Sequence, residues 1–220
     1  MAAELSLSAW VGYPGIVATG YLCGALPWGL WLGRWFKGVD VRTLGSGNLG
    51  ATNVYRSLGP SLGVTTLLLD MAKGALPTWL LPKLPLASRL PGGAEWCALV
   101  VGLAAISGHV WTVFAGFKGG KGVATTVGVL LALSPPAFAA FVGVFVITVA
   151  VTRYISLGSI LGSLAFAAML AFTTGRGLGS PTFWFGVVVA VLVIARHRQN
   201  IRRLWRGEES RFSLHARRTP

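Results

Sequence analysis

Six long apolar runs leave this chain few ways to fold. They fill roughly residues 10 to 33, 60 to 82, 96 to 117, 122 to 151, 157 to 174 and 182 to 195. Several approach the ~20 residues that cross a bilayer as helix. With 54% hydrophobic and 11% charged residues, the composition excludes an ordinary soluble domain. The longest run carries Ser134-Pro135-Pro136 near its middle. Proline removes an amide donor and crowds the preceding turn, so one continuous helix cannot form there. The run is expected to be a tight hairpin of two unusually short helices. The chain is then an all-α polytopic membrane protein of seven transmembrane helices, with the N-terminus outside and the C-terminus cytoplasmic.

Charge supports that count. Seven spans put Arg34, Lys37, Arg42, Arg56, Lys118, Lys121, Arg153 and the eight arginines from Arg196 to Arg218 inside. Lys83, Arg89 and Arg176 remain outside, which follows the positive-inside rule. Reading the hairpin as one span would move Arg153 and the tail to the wrong side. The sequence from Trp28 to Phe36 stays bulky, so no removable signal peptide is expected. Residues 1–220 form one transmembrane domain with a basic cytoplasmic tail from about 196. The formal charge of +13 is concentrated in that tail, directly after a span. Membrane lipid, rather than nucleic acid, is the partner this placement fits. Cys23 and Cys97 lie in or beside spans with no paired spacing, and imply neither disulfide nor zinc.

Polar motifs recur at each expected return to the inner face. They are GSGNLGATNVYRSLG (45–59), GHVWTVFAGFKGGKGVAT (108–125), TRYISLGS (152–159) and RHRQNIRRLWRGEE (196–209). All follow odd-numbered spans, so they could converge on one site. In the first two, glycines such as Gly119 and Gly120 can present amides, while Ser46, Asn48, Thr52, Asn53, Arg56 and Lys121 supply donors. Clustered donors beside positive charge suit a phosphate group. Glycine-rich loops at span ends also serve close helix packing. The nucleotide-binding loop pattern fails, because Ala115 stands at its leading glycine and Gly122 replaces the Ser or Thr after the lysine.

Acid and metal chemistry is poorly supplied. Of six carboxylates, Glu4 and Glu95 fall outside, leaving Asp40, Asp70, Glu208 and Glu209. Asp70 and Lys73, three apart in the second span, share a helix face and can pair, either for structure or in support of a site. No metal is expected, because a two-metal centre needs several converging carboxylates. His109 lies in the third span and His215 in a polar tail. His197, flanked by Arg196 and Arg198, is best placed to act as a neutral proton acceptor. No histidine is followed by aspartate five residues on, so the acyltransferase dyad His-x-x-x-x-Asp is absent.

These motifs, with LDMAKG at 69–74, resemble the bacterial membrane acyltransferases that move an acyl group from acyl phosphate to glycerol 3-phosphate. The similarity runs from about Trp28 to Glu209. It implies lysophosphatidic acid synthesis for phospholipid assembly at the bacterial inner membrane, with glycerol 3-phosphate and fatty acyl phosphate as substrates and no cofactor. It also implies that Ser46, Arg56 and Lys121 clamp phosphate, and that Ser159, His197 and Asn200 complete the site. Ser156 is an alternative to Ser159, and His109, Asp70, Lys73 and Glu208 stand in a second rank. Acyl phosphate is already activated, so direct transfer without an acyl enzyme is expected. The proton acceptor is either His197 or a phosphate oxygen. The competing class is a transporter of an anionic metabolite, although transporters usually place their site at the midplane between related halves.

Overall fold

A computed structural model describes residues 7–88 and 90–213. Glu4, Arg89, His215, Arg217 and Arg218 lie outside the described residues. The described chain is helical with no strand. It runs α1 (Leu7–Ala25), α2 (Trp28–Lys37), α3 (Ala51–Leu58), α4 (Pro60–Leu80), α5 (Pro85–Ser88), α6 (Gly93–Val110), α7 (Val123–Leu133), α8 (Pro135–Thr152), α9 (Ile155–Thr173), α10 (Pro181–Arg196) and α11 (Arg198–Trp205).

Each break has a chemical cause. The first apolar run does not form one helix, because Leu26-Pro27 separates α1 from α2. The carbonyls freed at that break are taken up from elsewhere: Thr112 Oγ1 donates to Ala25 O, and Lys73 Nζ donates to Leu26 O at 2.6 Å. The hairpin forms where the prolines stand. Ser134 caps α8 through its hydroxyl, and Pro135 occupies the first turn, where no intrahelical amide is needed. Only one arm of the hairpin is short, which corrects the expectation of two: α7 has 11 residues, whereas α8 has 18. An 11-residue helix reaches only ~17 Å, well under the ~30 Å hydrocarbon core. The third run also stops early, since α6 ends at Val110 and the chain continues as a 3-10 turn at Val113–Ala115.

By length and apolarity, four stretches among the described residues suffice to cross a membrane: Gly12–Lys37, Gly93–Ala115, Pro135–Thr152 and Ile155–Thr173. Helices α10 and α11 reach the needed length only when taken together, and they meet at a 59° bend. The remaining long helix, α4, carries Asp70 and Lys73 in its middle. Phe141, Phe166, Leu170, Phe185 and Val189 form the centre of the largest apolar core. Close approach fixes α7 against α4: a Cβ on Gly128 would fall 1.9 Å from Met71 O, and one on Gly74 would fall 2.3 Å from Thr125 O. Small residues at such crossings let helix backbones touch, the usual basis of packing in lipid.

Candidate active site

The four polar motifs meet at one end of the bundle. They line a single cavity of about 360 Å³. The first motif contributes Ser46, Asn48, Thr52, Asn53 and Arg56, and the second contributes His109 and Lys121. Ser156 and Ser159 come from the third, while His197, Asn200, Arg203 and Glu209 come from the fourth. Away from this polar end the wall becomes apolar, with Met71, Val127, Phe138, Phe141, Val142 and Phe145. Leu67 and Val146 also line the cavity and are exposed, so the apolar arm reaches the flank of the bundle beside α4 and α8.

Glu209 organises the polar end. Its Oε1 accepts from Asn200 Nδ2 at 2.7 Å and from Ser156 Oγ at 2.7 Å, and its Oε2 accepts from Arg203 Nε at 2.8 Å. Asn200 Oδ1 in turn accepts from Lys121 Nζ at 2.5 Å. Burial alone would raise the Glu209 carboxyl, but these donors outweigh it and hold the group below the usual carboxylate range. The sequence pointed to Glu208; the structure puts Glu208 outside the cavity. The reason is a Schellman turn at the end of α11. Gly207 takes φ 69°, its amide bonds Leu204 O, and the Glu208 amide bonds Arg203 O. That turn sends Glu209 back toward the cavity. The Trp-Arg-Gly ending of α11 carried the signal for it. Arg203 was likewise unselected, though it stands three residues after Asn200 and therefore on the same face.

His197 caps α10 and is almost fully buried. Its Nδ1 lies 2.8 Å from Val193 O, an acceptor only, so Nδ1 carries the hydrogen and Nε2 is the acceptor. Burial, then the charge on Lys121, lower its pKa to about 4, against weaker pulls from the Val193 bond and Glu209. The imidazole is therefore neutral at ordinary pH. Lys121 is lowered to about 8, first by burial and then by the balance of Glu209 against Arg203, Arg56 and Arg196. One carboxylate thus faces several cations, and the excess positive charge suits a dianion.

Other expected residues take different parts. Asn53 is committed within the first loop: its Oδ1 accepts from Ser46 N, and its Nδ2 contacts Val41 O, Leu44 O and Asn48 O. It shapes the loop instead of donating to a ligand. Gly119 and Gly120 do not present amides to the cavity either. Their amides bond Val110 O and His109 O, and a Cβ on Gly120 would fall 2.1 Å from His109 Nε2. These glycines let the Lys121 loop lie flat on the end of α6. Ser159 Oγ donates to Ile155 O at 2.9 Å. Arg56 donates to Ser210 O at 3.1 Å, which ties α3 to the chain beyond α11.

Asp70 and His109 reach the cavity from inside the bundle. Asp70 Oδ1 sits 2.7 Å from Lys73 Nζ and 3.7 Å from His109 Nδ1, with all three side chains buried. Lys73 lies behind this pair and does not line the main cavity. Among the described residues no three His, Cys, Asp or Glu side chains group as metal ligands.

The chain is similar over nearly its whole length to proteins of one kind. The glycerol-3-phosphate acyltransferase family model matches residues 15–207. The glycerol-3-phosphate acyltransferase of Geobacter sulfurreducens is 48% identical over 197 residues, covering 90% of this chain and 96% of that protein. That of Anaeromyxobacter sp. (strain Fw109-5) is 46% identical over 203 residues, covering 90% and 96%. The crystal structure of PlsY (YgiH), an integral membrane glycerol 3-phosphate acyltransferase, in its glycerol 3-phosphate form matches with TM-score 0.81 and 38% identity, over 92% of this chain and 96% of that one. Its lysophosphatidic acid form matches with TM-score 0.78 and 37% identity, over the same shares.

Proposed function

This chain belongs to the glycerol-3-phosphate acyltransferase family, and from that premise we propose that it transfers an acyl group from acyl phosphate to the primary hydroxyl of glycerol 3-phosphate. The products are lysophosphatidic acid and inorganic phosphate. One observation carries this reading: a single cavity joins a polar end with excess cationic charge to an apolar arm that reaches the flank of the bundle. A small dianion and a long acyl chain fit its two ends. In a seven-span protein of the bacterial inner membrane with its N-terminus outside, the polar end faces the cytoplasm, where glycerol 3-phosphate is dissolved.

Ser46, Arg56 and Lys121 hold phosphate in this proposal. The substrate hydroxyl oxygen attacks the acyl carbonyl carbon, and the bond from that carbon to the phosphate oxygen breaks. His197 Nε2 accepts the hydrogen bond of the attacking hydroxyl and orients it. With a pKa of about 4 the imidazole is a weak base. The phosphate expelled from a dianionic acyl phosphate carries one further negative charge, so it is the stronger base and takes the proton, leaving as HPO4 2−. Lys121 stabilises the negative charge that grows on the leaving group. Neither Ser156 nor Ser159 bonds a histidine: the first donates to Glu209 and the second to a backbone carbonyl. Neither is therefore activated as a nucleophile, which favours direct transfer.

The test is phosphate release by purified protein given palmitoyl phosphate, with and without glycerol 3-phosphate, alongside measurement of lipid product. Release that requires the acceptor and equals the lysophosphatidic acid formed is expected. Binding of glycerol 3-phosphate without product would favour a transporter, and an acyl group trapped on Ser46, Ser156 or Ser159 would refute direct transfer.

A further inference from the structure

Helix α11 turns one face to the cavity and leaves the other uncovered. Asn200 and Arg203 lie on the inward face, bonded to Lys121 and Glu209. Arg198, Arg202, Trp205 and Arg206 lie on the outward face, since steps of four and three residues return to one side of a helix. All four are exposed, and Trp205 is 89% exposed. Among the described residues none of these three arginines pairs with a carboxylate. The 59° bend at His197 takes α11 away from the direction of α10, so that with α10 crossing the bilayer α11 would incline toward the membrane plane.

We propose that α11 docks through Arg198, Arg202, Trp205 and Arg206 on the anionic lipid head groups of the leaflet at the polar end of the cavity, and that this docking holds Asn200 and Arg203 in working position. An indole beside guanidinium groups is the side-chain set of an interfacial helix: the ring sits at head-group level and the cations meet lipid phosphates. Because the opposite face of the same two-turn helix positions Lys121 and Glu209, lipid contact and catalysis are coupled through one rigid element. Anionic lipid therefore activates the enzyme. The activation rests on the acyltransferase reading, whereas the docking does not.

The test compares wild type and R198Q/R202Q/R206Q in vesicles of phosphatidylcholine, alone and with increasing phosphatidylglycerol. Turnover is read at saturating glycerol 3-phosphate, because a negative surface depletes that substrate and raises KM by itself. Wild-type kcat is expected to rise several-fold with phosphatidylglycerol, and the rise to vanish at high salt. The triple variant is expected to match wild type in pure phosphatidylcholine and to show no rise; R198K/R202K/R206K is expected to keep it. Native mass spectrometry of detergent-purified protein should find fewer phosphatidylglycerol molecules retained by the glutamine variant. Indifference of wild-type kcat to the anionic lipid, an equal rise in the glutamine variant, or equal loss of its activity in both vesicles would overturn the activation. Equal lipid retention would overturn the docking. If wild type never turns over while the retention difference persists, the reaction proposed above fails and the docking stands.

Discussion

Two charged clusters flank the cavity, one buried and one partly exposed, and they use similar side chains in different proportions. In α4, Asp70 and Lys73 meet one to one at 2.7 Å, and the lysine is also bound to Leu26 O. At the polar end, Glu209 stands alone against Arg203, Lys121 and Arg56. A balanced pair neutralises itself and leaves no charge for a ligand. An unbalanced cluster is complete only when an anion arrives. Proportion of charge, more than the presence of charge, separates the group that pairs within the bundle from the group proposed to bind substrate.

The sharpest way to break this contrast is to unbalance the balanced pair. Lys73→Met or Asp70→Ala should cost about 3–5 kcal/mol of stability, seen as loss of monodisperse protein and a lower melting temperature. The double variant Asp70→Leu/Lys73→Met should recover much of that, because the stranded charge is gone. Next in size, Lys121→Ala and Arg56→Ala should each lower kcat/KM by about 10²-fold, or ~2.7 kcal/mol, with folded yield near wild type. Equal losses of yield and activity would assign both to structure.

A smaller effect sharpens the comparison by pH. Lys121 has its pKa lowered to about 8 in the free protein, so above that pH the dianion must draw a proton onto the amine as it binds. Affinity for glycerol 3-phosphate should therefore fall as pH rises through about 8, by up to tenfold per unit, and Lys121→Arg should flatten that limb. At the acid side, His197 stays neutral until the pH approaches about 4. Its depressed pKa contributes stability that is present above the unfolded value of ~6.5 and lost as pH falls toward 4. The smallest effect separates two neighbours. Glu208→Ala should change activity and stability by less than ~0.5 kcal/mol, whereas Glu209→Ala should disorder the contacts to Ser156, Asn200 and Arg203 and lower kcat/KM.

The sequence made much of this legible, and the misses share a cause. Apolar runs and the Pro135-Pro136 break announced the helices, because hydropathy and proline act locally. The meeting of the motifs at one cavity was expected from their recurrence between apolar runs. What could not be read was how each donor is used within the fold. Asn53 has the right chemistry for phosphate, yet its amide is consumed by the loop it closes. Gly119 and Gly120 look like a phosphate cradle, yet they fit against His109 and Val110. Glu208 and Glu209 are chemically identical, and only the left-handed turn at Gly207 tells them apart. The seating of α7 against α4 at Gly74 and Gly128 joins segments far apart in the chain, which no local pattern reveals.

The exposed positions of Leu67 and Val146 on the wall of the cavity have a kinetic consequence. Under the proposed reaction, an acyl chain that enters and leaves through the flank never dissolves in water, so the donor and the lipid product would be governed by their mole fractions in the leaflet. Doubling the amount of membrane at constant lipid product would then relieve inhibition by that product, while glycerol 3-phosphate and inorganic phosphate would still obey ordinary bulk concentrations. One active site thus keeps two separate scales of concentration, one counted per area and the other per volume.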